Sequence, residues 1–268
     1  MRARHQVLSA AQALADAVVP HGADWAWVQQ ALLRQIVNLG SARRGLRMPW
    51  PLPSGAVVPD DAAAAPARLL LDLDADLTDM ATVGGLYEVI LEHDLDADGR
   101  VVKSPDPNRK ARGTWYTPPE AAAAMCALAL GAGLAQADEH NPDAGPDAVL
   151  SVLALDPATG AGVYLVQAAR WLAREYLHRL GRPVTATSVA SVLPDVITAC
   201  CYGLDIDPVA VDLTKTALWW EIHSRAPITW LDGHVICAST LDGHLPPAYL
   251  ARTRPEPTDT IAPREVTV

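Results

Sequence analysis

The sequence contains no hydrophobic run long enough to cross a membrane. Its longest stretch without charge or strong polarity, residues 121–135, is shorter than the roughly 20 apolar residues that a spanning helix needs. An apolar run near the amino terminus is interrupted by Gln12 and Asp16, which argues against a signal peptide. About half of the 268 residues are nevertheless hydrophobic, enough to build a folded core. These features predict a cytoplasmic protein.

Metal-binding patterns are also missing from the sequence. The four cysteines show no CxxC spacing, and two of them, Cys200 and Cys201, are adjacent within an apolar run. The eight histidines form no HxxxH or HExxH pattern, which would place two imidazoles on one face of a helix. We therefore expect reduced cysteines in the core and no metal site.

Charge is distributed unevenly along the chain, although its sum is −10. Residues 1–50 carry six arginines against two aspartates, whereas residues 60–98 carry eleven acidic residues against one arginine. A second basic stretch follows at residues 100–112. The negative sum argues against a free-standing nucleic-acid-binding protein, but the basic segments leave contact with a polyanion open.

The spacing of apolar residues divides the chain into three parts. Residues 1–100 are predicted to form a helical region, whose first helix covers residues 7–39 and ends at Gly40. Residues 101–245 follow with alternating strands and helices. Residues 246–268 are rich in proline, threonine and charge, so we predict a disordered tail there.

The pattern within residues 101–245 is typical of an α/β fold with a parallel sheet. The residues Thr117 to Glu120 have the composition of a capping box and predict the start of a helix that ends near Gly131 or Gly133. The elements expected after it are strands at 149–155, 196–204 and 234–237 and helices at 163–180 and 207–223. This alternation predicts a doubly wound sheet.

A glycine turn and an acidic residue mark the expected ligand site. Ligands of parallel sheets bind beyond the carboxyl ends of the strands, where turns and helix N-termini present free backbone N–H groups. The turn from Asp156 to Gly162 lies there, and Gly160 lets a ligand approach the backbone. Asp205 is placed to accept hydrogen bonds from a ribose, with Ile206 against a purine. A purely structural turn and a capping carboxylate are the alternatives.

The spacing argues against a dinucleotide-binding fingerprint. Leu165 stands where the third glycine of G-x-G-x-x-G belongs, and Asp156 and Asp205 are 49 residues apart. That fold instead places its acidic residue about 20 residues after the turn. An acid in the first turn would repel a pyrophosphate but would pair with an ammonium group. Such a site suits S-adenosylmethionine, a nucleoside with a cationic amino-acid tail.

Three sequence motifs occur in a fixed order. They are Gly113-Thr-Trp-Tyr-Thr-Pro-Pro119, Leu155-Asp-Pro-Ala-Thr-Gly-Ala-Gly162 and Tyr202-Gly-Leu-Asp-Ile-Asp-Pro208. Together they resemble the N6-adenine DNA methyltransferases of restriction–modification and phage-defence systems, most closely the type I and type IIG-like enzymes. The segment Gly85-Leu-Tyr-Glu-Val-Ile-Leu91 is similar to a helix that precedes the Tyr-Thr-Pro motif in that group.

The resemblance covers about residues 80–242 and implies both a fold and an activity. The fold would be a helical N-terminal region followed by the first half of a class I, Rossmann-like methyltransferase sheet. The activity would be methyl transfer from S-adenosylmethionine to the N6 amino group of adenine in double-stranded DNA.

The resemblance also implies which residues bind the cofactor. They are Tyr116, Thr117, Pro118, Asp156, Pro157, Gly160, Gly162, Asp205, Ile206 and Ser239. The Tyr-Thr-Pro loop would hold the methionine end, the glycine turn the amino-acid part, Asp205 the ribose and Ile206 the adenine. At Ser239 the family usually has an Asp or Asn, so a shorter, uncharged hydroxyl would meet the adenine amino group.

The family's catalytic Asn-Pro-Pro-Tyr motif, which binds a flipped-out adenine, is not found in the sequence. The segment His244-Leu-Pro-Pro-Ala-Tyr249 lacks the Asn and inserts an Ala before the Tyr. The sequence also supplies only about half a sheet, so the strand before the glycine turn would have an open edge. We expect either that a second polypeptide completes the domain or that the chain is a truncated product of a longer gene.

Two other functions remain open from the sequence. One is a non-catalytic subunit that binds S-adenosylmethionine, or no cofactor, and docks on a partner methyltransferase. The other is a methyltransferase of protein or RNA, since the glycine turn and the acidic residue occur throughout the class. The Tyr-Thr-Pro motif argues against this second alternative.

Overall fold

A computed structural model describes residues 2–47, 49–55, 64–104, 117–223 and 227–253 of the chain. The fold is mixed α/β and 64% helical, with two small sheets. The helices are α1 (Arg2–Val18), α2 (Trp25–Arg43), α3 (Ala64–Leu71), α4 (Met80–Leu91), α5 (Pro119–His140), α6 (Asp147–Ser151), α7 (Val163–Arg179), α8 (Ala186–Cys200), α9 (Pro208–Glu221) and α10 (Pro247–Thr253). The strands are β1 (His93–Leu95), β2 (Val101–Lys103), β3 (Ala154–Asp156), β4 (Cys201–Asp205) and β5 (Val235–Cys237).

The larger sheet consists of β3, β4 and β5, which are parallel and lie in that order. The register pairs Leu155 with Tyr202 and Leu204 with Ile236. The chain passes from β3 to β4 through α7 and α8, and from β4 to β5 through α9. The predicted parallel sheet is thus confirmed. Within the described part of the chain, β3 has a neighbouring strand on one side only.

Two strands are shorter than the apolar runs that predicted them. Residues 149–151 of the first run belong to α6, and residues 196–200 of the second run belong to α8. An apolar run does not by itself distinguish a strand from the buried end of a helix. A capping box between Thr185 and Ser188 begins α8, which then continues to Cys200. The predicted helices after the first two strands, and the third strand, are confirmed to within a few residues.

Helix α5 begins and ends differently from the sequence prediction. Pro118 is its N-cap residue and makes no side-chain capping bond, so the predicted capping box of Thr117 is not formed. The helix passes Gly131 and Gly133 and ends at His140, because the surrounding alanines favour helix. Among the described residues, α5 is the one helix that is long and apolar enough to cross a membrane. A single helix of this kind is weak evidence for a membrane span.

The single N-terminal helix expected over residues 7–39 is divided into α1 and α2. Pro20 lies in a short 3-10 turn, and Gly22 adopts a left-handed backbone conformation that ends it. Asp24 then caps α2 by accepting a hydrogen bond from the N–H of Trp27. Helix α2 continues to Arg43, so the predicted end at Gly40 is wrong.

Gly40 instead allows α2 to approach α9 closely. A Cβ atom at this position would collide with the carbonyl oxygen of Leu77, which lies between α3 and α4, and would be 3.0 Å from the ring of Trp220. The same ring donates a hydrogen bond from Nε1 to Ser41 Oγ at 2.9 Å. An ion pair of 2.8 Å between Arg34 on α2 and Asp212 on α9, both largely buried, adds to the contact. The helical region and the sheet region therefore share one core.

The predicted boundary at residue 100 falls within an antiparallel hairpin of β1 and β2. Gly99, with a φ of +76°, turns the chain between the two strands. The carboxylate of Asp96 accepts hydrogen bonds from the N–H groups of Asp98 and Arg100 and holds the turn. Residues on both sides of the boundary thus belong to one structural unit.

The segment predicted to be a disordered tail from residue 246 begins with a packed helix. In α10 the ring of Tyr249 meets the ring of Tyr202 edge-on, with 5.5 Å between the centroids. Arg252 donates hydrogen bonds to two backbone carbonyls at 2.6 and 2.8 Å. The prediction is therefore wrong for residues 247–253, and residues 254–268 lie outside the described part.

Replacement of Gly40 by alanine tests the close approach of α2 to the backbone of Leu77 and to α9. We expect Gly40→Ala to lower the free energy of unfolding by about 2–3 kcal/mol, because the added Cβ atom overpacks the contact. Gly131→Ala is the matched control, since a Cβ there has no described heavy atom within 4 Å. We expect that control to stabilise the protein by about 0.5–1 kcal/mol through helix propensity. Urea unfolding measures both, and equal effects would contradict the contact.

Candidate functional site

The glycine turn connects β3 to α7 and contacts two further elements, β4 and α9. The N–H of Thr159 donates to the carbonyl of Leu204 on β4 at 3.0 Å. Gly160 and Gly162 have left-handed φ angles of +52° and +79°. A Cβ at Gly162 would lie 3.0 Å from the Cα of Thr214, whereas no described atom lies within 4 Å of one at Gly160. Gly162 therefore serves packing on α9, and Gly160 leaves space for a ligand.

The carboxylate of Asp205 joins this turn to the end of β4. Oδ2 accepts a hydrogen bond from the N–H of Gly160, and Oδ1 accepts one from the N–H of Asp207, each at 2.9 Å. Each carboxylate oxygen has a further lone pair, so Asp205 can still accept hydrogen bonds from hydroxyl groups. Burial raises the pKa of Asp205 above its ordinary value, although backbone hydrogen bonds from Asp207, Gly160 and Ile206 oppose this effect.

Asp156, at the end of β3, has an oxygen without a hydrogen-bond partner. Its Oδ1 accepts from the N–H of Ala158 at 3.1 Å, but the buried Oδ2 has no partner among the described residues. Burial raises the pKa of Asp156, and the negative charge of Asp205 adds to this effect. The buried Oγ1 of Thr159 is also without a described partner. Such orphaned acceptors suit a ligand that brings a cationic or hydrogen-bonding group.

Ile206 and Ser239 lie beside Asp205 at the open end of the sheet. The side chain of Ile206 is 66% exposed, which leaves an apolar surface available to a flat ring. The N–H of Ala238 donates to the carbonyl of Asp205 at 2.9 Å. This bond holds the next residue, the half-buried Ser239, near the end of β4. Pro157 is exposed in the glycine turn.

The Tyr-Thr-Pro segment is only partly visible in the structure. Tyr116 lies outside the described residues, Thr117 is half-buried and Pro118 is exposed. The next residue, Pro119, lines a cleft of about 150 Å³ together with Ala161 of the glycine turn. The structure thus brings the end of this segment close to the turn.

Tyr87 of α4 also reaches the site, which the sequence analysis did not foresee. Its hydroxyl donates to Asp207 Oδ2 at 2.6 Å, and Asp207 Oδ1 accepts from the N–H of Val209 and caps α9. Burial raises the pKa of Tyr87, and the charge of Asp207 raises it further. The segment around Tyr87 carries part of the family resemblance, but its sequence assigns no role to the hydroxyl.

Comparison with known protein families, with curated proteins and with solved structures found no match for this chain. Only the contacts within this chain therefore define the candidate site. Gly160 and Asp205 are hydrogen-bonded to each other, and Asp156 is close enough to Asp205 for their charges to interact. The described site consists of two carboxylates at neighbouring strand ends and a glycine turn in which Gly160 has open space beside it.

Replacing Asp156 by asparagine tests the raised pKa of its carboxyl group. We expect Asp156→Asn to be at least as stable as the unsubstituted protein at pH 7, because an amide costs less to bury than a carboxylate. The pKa is raised above 3.8 on folding, so the unsubstituted protein gains stability as the pH falls through that raised value. The difference between the two proteins should therefore shrink toward about pH 5.

Urea unfolding at both pH values measures this difference. A variant that is less stable at pH 7, by an amount that does not change with pH, would show that the carboxylate is stabilised by contacts within the fold.

Proposed function

We propose that the chain is the cofactor-binding part of an S-adenosylmethionine-dependent DNA (adenine-N6)-methyltransferase, with its sheet in the class I, Rossmann-like arrangement. The single observation that carries this proposal is the carboxylate of Asp205, bonded to the backbone of Gly160 at the carboxyl ends of β3 and β4. This is where parallel sheets bind nucleoside ligands. The sequence resemblance supplies the reaction and the DNA substrate.

The residues present fit the proposed cofactor. The orphaned Oδ2 of Asp156 would pair with the ammonium group, and the remaining lone pairs of Asp205 would accept from the ribose hydroxyls. The exposed Ile206 would lie against the adenine, with Ser239 near its amino group. When bound, the cofactor supplies an electrophilic methyl group.

The charge of the site favours this ligand over a dinucleotide. Asp156, Asp205 and Asp207 lie at neighbouring strand ends, and the first two have raised pKa values mainly because of burial. A pyrophosphate would be repelled by these carboxylates, whereas an ammonium and a sulfonium group would be attracted. The positive charge of the ligand thus offsets the unfavourable burial of negative charge.

A second polypeptide would complete the proposed enzyme. Ligand sites of open parallel sheets lie where the strand order reverses, and that requires a strand on the free edge of β3. In the described sheet this edge has no neighbouring strand. On α5, Met125 and Leu128 are 55% and 78% exposed, so apolar surface is available to a partner. The partner would carry the missing catalytic motif and the recognition of the DNA sequence.

A non-catalytic subunit is the second candidate function, and the arginines at the end of α2 favour it. Arg43 donates hydrogen bonds to the carbonyls of Leu71 and Ala75. Arg44 donates to the carbonyl of Thr78 and lies over the ring of Trp220, 4.9 Å from its centroid. These arginines stabilise the packing of the N-terminal region. Because their guanidinium groups are bonded within the fold, they are not expected to bind DNA phosphates.

Substitution of Asp205 by alanine tests the cofactor site directly. We expect Asp205→Ala to abolish S-adenosylmethionine binding in calorimetry, because the ribose loses its acceptor and Gly160 loses its hydrogen bond. The helical circular-dichroism signal should persist. Unchanged affinity would show that the site is wrongly assigned.

A milder substitution removes only surface. Ile206→Ala should weaken S-adenosylmethionine binding about five- to tenfold with little effect on stability, because apolar contact with the adenine is lost. Leu128→Ala is the matched control, since it shortens another exposed aliphatic side chain, on α5. Equal affinities of the two variants would argue against the adenine contact.

Transfer of labelled methyl groups to unmethylated DNA tests the proposed reaction. We expect incorporation when the chain is co-expressed with the product of the neighbouring reading frame, and none with the chain alone, because the catalytic motif is missing from its sequence. Incorporation by the chain alone would show that catalysis does not need that motif. No incorporation in either case would favour the non-catalytic subunit.

A further inference from the structure

We infer that Tyr87 is a positioning residue for the proposed cofactor site and that it acts through Asp207. The inference rests on the proposed function, because it concerns the same site. Tyr87 lies on α4 of the N-terminal helical region, 120 residues away from Asp207 in the sequence. The hydroxyl of Tyr87 would thus make that region part of the ligand-binding machinery.

A continuous chain of hydrogen bonds connects Tyr87 to the glycine turn. The Tyr87 hydroxyl donates to Asp207 Oδ2 at 2.6 Å, and the N–H of Asp207 donates to Asp205 Oδ1 at 2.9 Å. Asp205 Oδ2 accepts from the N–H of Gly160 at 2.9 Å. The carbonyl of Gly160 accepts from the hydroxyl of Thr214 at 3.0 Å, which returns the chain to α9. Each member fixes the orientation of the next.

Asp207 makes two of these contacts and a third one to Val209, and it is the central member of the chain. Its Oδ1 caps α9 through the N–H of Val209, its backbone N–H holds Asp205, and its Oδ2 accepts from Tyr87. Tyr87 is only 3% exposed, so loss of its hydroxyl would leave a carboxylate oxygen next to an apolar ring. Such an oxygen turns toward water. That rotation would also carry Oδ1 away from the N–H of Val209, which loosens the start of α9 and with it the backbone N–H of Asp207 that holds Asp205.

The hydroxyl of Tyr87 is not needed to hold α4 in place. Asp79 caps the start of this helix by accepting from the N–H groups of Ala81 and Thr82. The apolar side chains of Val83 and Ile90 are fully buried in the core. The distinct contribution of the hydroxyl is therefore its hydrogen bond to Asp207, and a phenylalanine would preserve the packing of the ring.

The surrounding charges give this role a measurable signature. Asp207, Asp205 and Glu88 all raise the pKa of Tyr87, and Asp207 also raises the pKa of Asp205. The hydroxyl dipole offsets part of the negative charge of Asp207. Without it, Asp205 would take up a proton at a higher pH, so ligand binding would be lost earlier as the pH falls.

Calorimetry of the full chain with S-adenosylmethionine between about pH 5 and pH 8 tests this inference. We expect Tyr87→Phe to bind about tenfold more weakly at neutral pH, the usual scale for losing a hydrogen bond to a charged group. The midpoint of the loss of binding at low pH should move upward by several tenths of a pH unit. Tyr176→Phe, which removes a hydroxyl from a partly buried tyrosine near the end of α7, should change neither.

A double-mutant cycle shows whether Tyr87 acts through Asp207. Asp207→Asn keeps a residue that can cap α9 but removes the charge. We expect Tyr87→Phe to cause less than a twofold further loss of affinity in the Asp207→Asn background, since the contact that it removes is already altered. Additive losses would overturn the inference that Asp207 transmits the effect.

The outcomes separate this inference from the proposed function. If the unsubstituted chain does not bind S-adenosylmethionine, the proposed function fails and the inference fails with it. If that chain binds and Tyr87→Phe binds equally well with the same pH profile, only the inference is overturned. If Tyr87→Phe loses its helical circular-dichroism signal, the hydroxyl has a structural role and the inference is likewise overturned.

Discussion

The candidate site depends on one carboxylate, that of Asp205, which bonds the backbone of two different loops at once. Through Gly160 it fixes the turn after β3, and through Asp207 it fixes the start of α9. A carboxylate in this position must be partly buried, which raises its pKa and makes its charge unfavourable. Backbone hydrogen bonds partly compensate for this unfavourable burial.

Helix α9 packs against both the candidate site and the N-terminal helical region. Its side toward the glycine turn carries Thr214, against which Gly162 packs with no room for a side chain. Its side toward α2 carries Trp220, against which Gly40 packs in the same way. Two glycines distant in sequence thus allow the glycine turn and α2 to pack closely against α9.

The candidate site contains polar groups whose burial is unfavourable. The Oδ2 of Asp156 and the Oγ1 of Thr159 are buried without described partners, and Asp156 and Asp205 raise each other's energy as charged groups. Buried polar atoms without partners are uncommon in folded proteins. The fold tolerates them because α9 and the large apolar core hold the surrounding backbone.

How far the sequence predicts the structure differs from one feature to the next. The glycine turn, the acid that ends β4 and the helix that follows Asp207 were predictable, because each depends on a few adjacent residues with strong backbone preferences. The strand bounds were not predictable, since the apolar residues of α8 run into β4 without a change in composition. The end of α5 was also mispredicted. Gly131 and Gly133 are typical of helix ends, but the alanine-rich sequence around them favours continuation of the helix.

By itself the sequence determined the three parallel strands, the helices α7 and α9 that follow the first two of them, and the place of Gly160 and Asp205 at neighbouring strand ends, because alternation and turn chemistry are local. Only the tertiary structure decided that Gly40 is a contact and not a helix end, and that Tyr87 reaches Asp207. Both outcomes depend on residues far apart in sequence that meet when apolar helix faces are buried. Such contacts leave no pattern in the residues on either side of them.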